Sequence, residues 1–306
     1  MLEGVMMKNK TKYAVAVRKP DGEIDVQVEE YQGICGDKKF AKLPLIRGVF
    51  AFIDSLVLGM RVTMHSASFY EEEEDTAGQP TAKEPEKKAS GGRADDIMMG
   101  ITVAVSVVIA VALFMLLPFL ISDLLGKYIR NASLVAILEG VLRIMIFVGY
   151  IAAISLMKDI RRLYMYHGAE HKCINCIERG RPLNVKNVMR SSRQHKRCGT
   201  SFLLFVVLVS VIVFFFIRVD NMVLKLVLRL LLVPVIAGIS YEIIRLAGRS
   251  NNVLIRIISA PGMWMQRLTT KEPDEDMVEV AIASVEAVFD WKAYLEETFG
   301  YEAEDL

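Results

Sequence analysis

The residues able to do chemistry crowd into one stretch, Tyr166 to Cys176, which reads YHGAEHKCINC. Within it His167, Glu170 and His171 form the pattern H-x-x-E-H. On a helix His167 and His171 stand one turn apart on one face, the spacing at which two imidazoles can hold one ion. Glu170, three residues after His167, falls close enough to act as general base on a water polarised by that ion. Inverted zinc-peptidase motifs have this order. Five residues make a weakly specific pattern. The plain alternative is a pair of histidines hydrogen-bonding near a membrane surface.

Two more pairs extend the cluster. Cys173-x-x-Cys176 is followed, after eighteen residues, by His195-x-x-Cys198. That interval is similar to zinc-ribbon spacing. Three arrangements compete. In the first, His167 and His171 hold a divalent metal, zinc foremost, and His195, Cys198 or Glu242 completes a shell with one open position. In the second, Cys173, Cys176, His195 and Cys198 close a purely structural site. In the third, Cys173 and Cys176 are a redox pair; this ranks last, because no βαβ pattern surrounds them. The chain's four cysteines are sparse, which suits a reducing compartment rather than a disulfide framework.

The elements that must position these residues are mainly α and membrane-embedded. Hydrophobic residues make up 53% of the 306, and mean hydropathy is +0.35, unlike a soluble chain. No cleavable signal peptide is visible at the start. Residues 1–70 hold a β-hairpin, with Tyr13, Val15 and Val17 alternating before the turn Pro20-Asp21-Gly22 and Ile24, Val26 and Val28 after it. An amphipathic helix over 43–65 follows, carrying Arg47, Asp54 and Arg61 near one face and lying at the membrane surface or over the bundle. Residues 71–96 are charged and rich in Ala, Gly and Pro, a disordered linker.

Four transmembrane helices follow. The first two, Ile97 to Ile121 and Ser133 to Met157, make a pair over 97–157; the last two, Ser201 to Ile217 and Met222 to Ile244, lie within 201–246. The second helix is expected to continue through the histidine motif, with Gly168 weakening it by about 1 kcal/mol relative to Ala. Between the pairs, 158–200 carries eleven Lys and Arg against three acidic residues. The positive-inside rule makes it cytoplasmic, with both termini on that side, and lets it touch anionic lipid. All candidate ligands then reach one membrane level: His167 and His171 past the second span, His195 and Cys198 before the third, and Glu242 ending the fourth. Within the second span Glu139 and Arg143 read as a neutralised i,i+4 pair, with an ion or substrate path as the alternative. In the tail 247–306, Pro261 and Gly262 break the chain. Asp274, Glu275 and Asp276, at the expected N-cap and first turn, then start a soluble amphipathic helix whose apolar face packs on this protein.

Several segments together, EGVMM, YAVAVRKPDGEI, YHGAEHK, RQHKRCGTSF and APGMWMQRLTTKEPDEDMVEVAI, resemble the YqhQ-type bacterial membrane protein family. The resemblance covers nearly the whole chain. It implies a domain of unknown function labelled a predicted metal-dependent enzyme, in the bacterial cytoplasmic (inner) membrane. The matching positions are His167, Gly168, Glu170, His171, His195, Arg197, Cys198, Gly199 and Thr200. Cys173 and Cys176 are not regular family features, which weighs against the closed ribbon. The family also begins with a longer GGQAVIEGVMM-like stretch, so the start here is expected to be shortened. The leading expectation is a metal-dependent hydrolase at the membrane–cytoplasm boundary. The alternatives are a non-enzymatic scaffold or assembly accessory with a structural histidine cluster, and a channel or transporter. The lipid bilayer is the expected partner, and no nucleic acid is.

Overall fold

The computed structural model describes residues 1–36, 38–76, 93–219, 221–248 and 252–302. In chain order the strands are β1 (Gly4–Asn9), β2 (Lys12–Arg18) and β3 (Ile24–Glu30). The helices are α1 (Ile46–Thr76), α2 (Arg93–Val111), α3 (Leu117–Gly126), α4 (Ala132–Ile154), α5 (Lys158–Glu178) and α6 (Val185–Met189). They continue with α7 (Gly199–Phe215), α8 (Met222–Ala247), α9 (Val253–Thr269), α10 (Glu275–Glu286) and α11 (Trp291–Phe299). A π turn, Ala112–Leu116, joins α2 to α3. Most of the expected linker, 77–92, lies outside the described residues; its two flanks belong to α1 and α2.

The chain forms two compact units. The first comprises Met1–Asp75, Ile151–Val206 and Leu232–Leu306. Its sheet has the order β1-β2-β3, antiparallel throughout, so the expected hairpin gains a third strand. Alternation of large and small residues along β2 explains why both of its faces are buried. Tyr13, Val15 and Val17 face Leu58 and Val62 of α1. Ala16, with Val5 and Met7 of β1, packs into the core formed by α5 and α10. The small Ala residues admit α10 so closely that Ser284 Oγ donates to the carbonyls of Val5 and Ala14, both at 3.2 Å. The charged face of α1 binds protein: Arg47 pairs with Glu242, and Asp54 accepts from Tyr31 and from the Ile34 amide.

The second unit comprises Thr76–Tyr150 and Val207–Leu231. Here the expected ion pair is larger than an i,i+4 couple. Glu139 accepts from Arg143 and, through both oxygens, from Arg229, while Arg143 also donates to Ser210. Glu139, Arg143 and Arg229 are all buried.

Among the described residues, three helical stretches are long and apolar enough to cross a membrane: Gly100–Gly126, Ala132–Ile154 and Met222–Ala247. The fourth expected span, α7, has 17 residues. Two other expectations are corrected. The second span does not run on through the histidine motif. It stops at Ile154, Ser155 Oγ turns back onto the Ala152 carbonyl, and α5 starts afresh at Lys158 with Asp159 favourably placed in its first turn. Pro261 and Gly262 do not break the chain either; both lie inside α9. Proline costs that helix a backbone bond. Gly262 is buried against Ser201 and Phe205, where a Cβ would sit 2.9 Å from Ser201, so packing holds the helix together. The expected N-cap is present, with Asp274 accepting from the Met277 amide at 2.9 Å. The apolar face of α10 (Met277, Val278, Ala281, Val285) is buried.

Candidate metal centre

The site grows from one face of α5. Three polar side chains there bind the main chain of the 189–194 segment. His171 Nδ1 meets the Arg193 carbonyl at 2.7 Å. Lys172 donates to the carbonyls of Met189 and Ser191, and Asn175 to those of Ser192 and Gln194. Lys172 is buried and also pairs with Glu272. A loop of this kind has no strand or helix to satisfy its carbonyls, so α5 supplies the donors.

From the other side α9 fixes the residues that follow. Gln266, fully buried, accepts from the His195 amide at 2.8 Å and donates to the His195 carbonyl at 2.7 Å and to Ser201 at 2.9 Å. The Thr269 carbonyl meets His167 Nδ1 at 2.9 Å. Just beyond, the chain passes directly over α5, where the Lys271 amide donates to the Tyr164 carbonyl. A Cβ on Gly168 would stand 2.1 Å from the Lys271 carbonyl oxygen. Gly168 is therefore a crossing point, and its cost to helix propensity is secondary.

The result is a convergence of His167, His171 and Cys198, whose ligand atoms all lie within 4.8 Å of one another. Cys198 Sγ is 3.2 Å from His167 Nε2, and the two imidazole centroids are 4.3 Å apart. Each Nδ1 sits against a main-chain carbonyl and so carries the proton. That leaves each Nε2 with a lone pair, and His167 Nε2 faces the Cys198 sulfur, the usual outer arrangement of metal-binding histidines. Thr269 donates to Thr200 (3.2 Å), and Thr200 Oγ1 is 3.1 Å from the Cys198 sulfur. Two His nitrogens and a Cys sulfur suit zinc. Bonds of about 2.0–2.3 Å around a tetrahedral ion set ligand atoms roughly 3.5 Å apart; the 3.2 Å between Cys198 and His167 is near this, and the whole group lies within 4.8 Å.

The other candidate residues stand elsewhere. His195 is 5.9 Å from His171 between ring centroids, but its Nε2 is engaged with Glu178 at 3.1 Å. Glu178 also pairs with Arg197. The hydrogen bond from His195, with the charges of His195 and Arg197, holds the Glu178 carboxyl below the usual carboxylate range. Glu242 bonds through both oxygens to Arg47, so it does not complete the shell. Glu170 is half-buried, outside the ligand group, with no hydrogen bond or ion pair among the described residues; its charge acts on the Cys173 thiol. Cys173 and Cys176 are fully buried in the core shared with α10, and burial pushes both thiols up. The closed four-ligand ribbon is therefore not assembled. Sequence reasoning missed Lys172, Asn175, Gln266 and Thr269. The first two had a signal, since H-K-x-x-N repeats polar residues on one helix face; Gln266 and Thr269 had none before α9 was seen.

A family described as a protein of unknown function, DUF1385, matches residues 43–291. The uncharacterized protein YqhQ of Bacillus subtilis (strain 168) is 34% identical over 290 residues, covering 93% of this chain and 89% of its own length. No solved structure matches.

Proposed function

The chain belongs to the DUF1385 family, whose name carries no activity, and from the geometry of its site we propose a multi-pass membrane protein holding a divalent metal, zinc foremost, at the cytoplasmic boundary. The observation that carries this reading is the meeting of His167, His171 and Cys198 with both Nδ1 atoms held by main-chain carbonyls. Three protein ligands leave a fourth position open, the mark of catalytic rather than structural zinc. When bound, the ion would polarise a water or a carbonyl, and the reaction class this suits is hydrolysis. Glu170, on the ligand helix beside His171, is the acid–base candidate.

The membrane setting draws support from the three long apolar helices and from the shared core. The packing of β1 on α10 supports a topology with both ends of the chain on one side of the membrane. That favours an even number of crossings, so α7 completes the count at four. Its 17 residues span about 25 Å, and flanking residues or local thinning absorb the shortfall. The basic segment 158–200 supports a cytoplasmic position for this side.

The test is the metal content of the purified protein beside H167A/H171A and C198A. The wild type should carry near-stoichiometric zinc and the variants little; equal content in all would sink the proposal. A second reading, a structural clamp, is favoured by Glu170 standing outside the ligand group. E170Q separates the two: an enzyme loses activity in cells with metal content intact, whereas a clamp is indifferent.

A further inference from the structure

Helix α9 has an outer face that the metal centre does not use. Its inner face, Ile255, Ser259, Gly262, Met265, Gln266 and Thr269, is buried. The outer face presents Val253, Leu254, Ile257 and Trp264, each more than half exposed. Along one flank of this apolar strip run Arg256 and Arg267, eleven residues or three turns apart and therefore on one side. Both are exposed, and neither makes an ion pair or side-chain hydrogen bond among the described residues. Between them lies a shallow cavity of about 310 Å³, lined by Arg256, Arg267, Lys196, Gln194 and Trp264, with no acidic residue in its wall among the described residues. The helix begins at Val253, shortly after α8, a candidate membrane span, ends at Ala247.

We propose that α9 lies in the plane of the bilayer interface, its apolar strip in the acyl region, and that the Arg256–Arg267 cavity receives the phosphate of an anionic phospholipid. Chain connection argues for this occupant. A helix starting so soon after the end of a span stays at headgroup depth. There an apolar strip with a tryptophan and flanking arginines is the composition of an interfacial helix. Charge argues for the same occupant, because basic side chains near an anionic surface each strengthen binding. The inner face of α9 holds His195 through Gln266 and His167 through the Thr269 carbonyl. Lipid headgroups would therefore lie only a helix diameter, about 10 Å, from the metal ligands. The proposal rests on the membrane setting above and is tested separately from it.

The chain has two tryptophans, Trp264 exposed on this strip and Trp291 buried. Full-length W291F is reconstituted into vesicles of phosphatidylcholine and phosphatidylglycerol, with one lipid or the other brominated high on its acyl chain. Trp264 fluorescence should be quenched, more strongly by brominated phosphatidylglycerol. R256Q/R267Q should lose that preference, about fivefold per charge removed, with zinc content unchanged. W264F, retaining Trp291, should show little quenching. If W291F fails to fold, the wild-type chain serves, with W264F giving its background. Unquenched Trp264 in protein that resists alkaline extraction overturns the α9 proposal and leaves the membrane reading standing. Equal quenching by both lipids, unaffected by R256Q/R267Q, overturns the phosphate site. Release of the protein by alkali overturns the membrane reading itself.

Discussion

At the scale of single residues, the proposed metal site depends on groups outside its ligand set. Thr200 steadies the Cys198 sulfur and is itself held by Thr269. T200V keeps the volume and removes that hydrogen bond, so metal affinity should fall about tenfold or more; it also strands the buried Thr269 hydroxyl, so the melting temperature should fall as well. A competition titration against a chromogenic chelator reads this directly. Glu178 illustrates the other kind of support. Its carboxyl is held below the ordinary value of 4.5, so it stabilises the fold above that value and loses the contribution as pH falls through its lowered folded value. Melting curves across the acid range should show a shallower acid limb for E178Q than for wild type. The effect should be small, because the Glu178 side chain is 37% exposed and solvent screens it.

Elements place those residues by close approach. Helix α5 serves three neighbours at once: the 189–194 loop through Lys172 and Asn175, the Lys271 crossing at Gly168, and the N-terminus through Arg162 and Tyr166, which both bond to Glu3. Alanine is the better helix former, and an isolated α5 would gain from G168A. In the folded chain the added methyl meets backbone that cannot give way. G168A should therefore lower stability by roughly 1–3 kcal/mol, seen as an earlier denaturation midpoint, and loosen His167 because Thr269 moves with Lys271. A higher midpoint would show that the 269–273 segment shifts freely. The H-x-x-E-H spacing was legible because helical periodicity puts both histidines on one face. The roles of Gly168 and Gln266 were not, since each is set by a segment about a hundred or seventy residues away.

For the whole molecule, the shared core of β1, β2, α5 and α10 joins the two ends of the chain. Protease-cleavable tags at the N- and C-termini should be cut together in inside-out vesicles and both protected in intact spheroplasts. One tag cut and the other protected would mean an odd number of crossings. The amino-acid sequence by itself determined the long apolar helices, the hairpin, the Asp274 cap and the two histidines one turn apart. These follow from composition and local periodicity, which act over a few residues. Only the tertiary structure decided which of the seven candidate ligands meet. Glu242 had an arginine partner on α1, His195 had Glu178, and Cys173 and Cys176 were drawn into the core with α10. Cys198 was brought to His167 because α9 holds the segment before it. Such choices are made by competition among partners far apart in the chain, and local periodicity carries no information about which one wins.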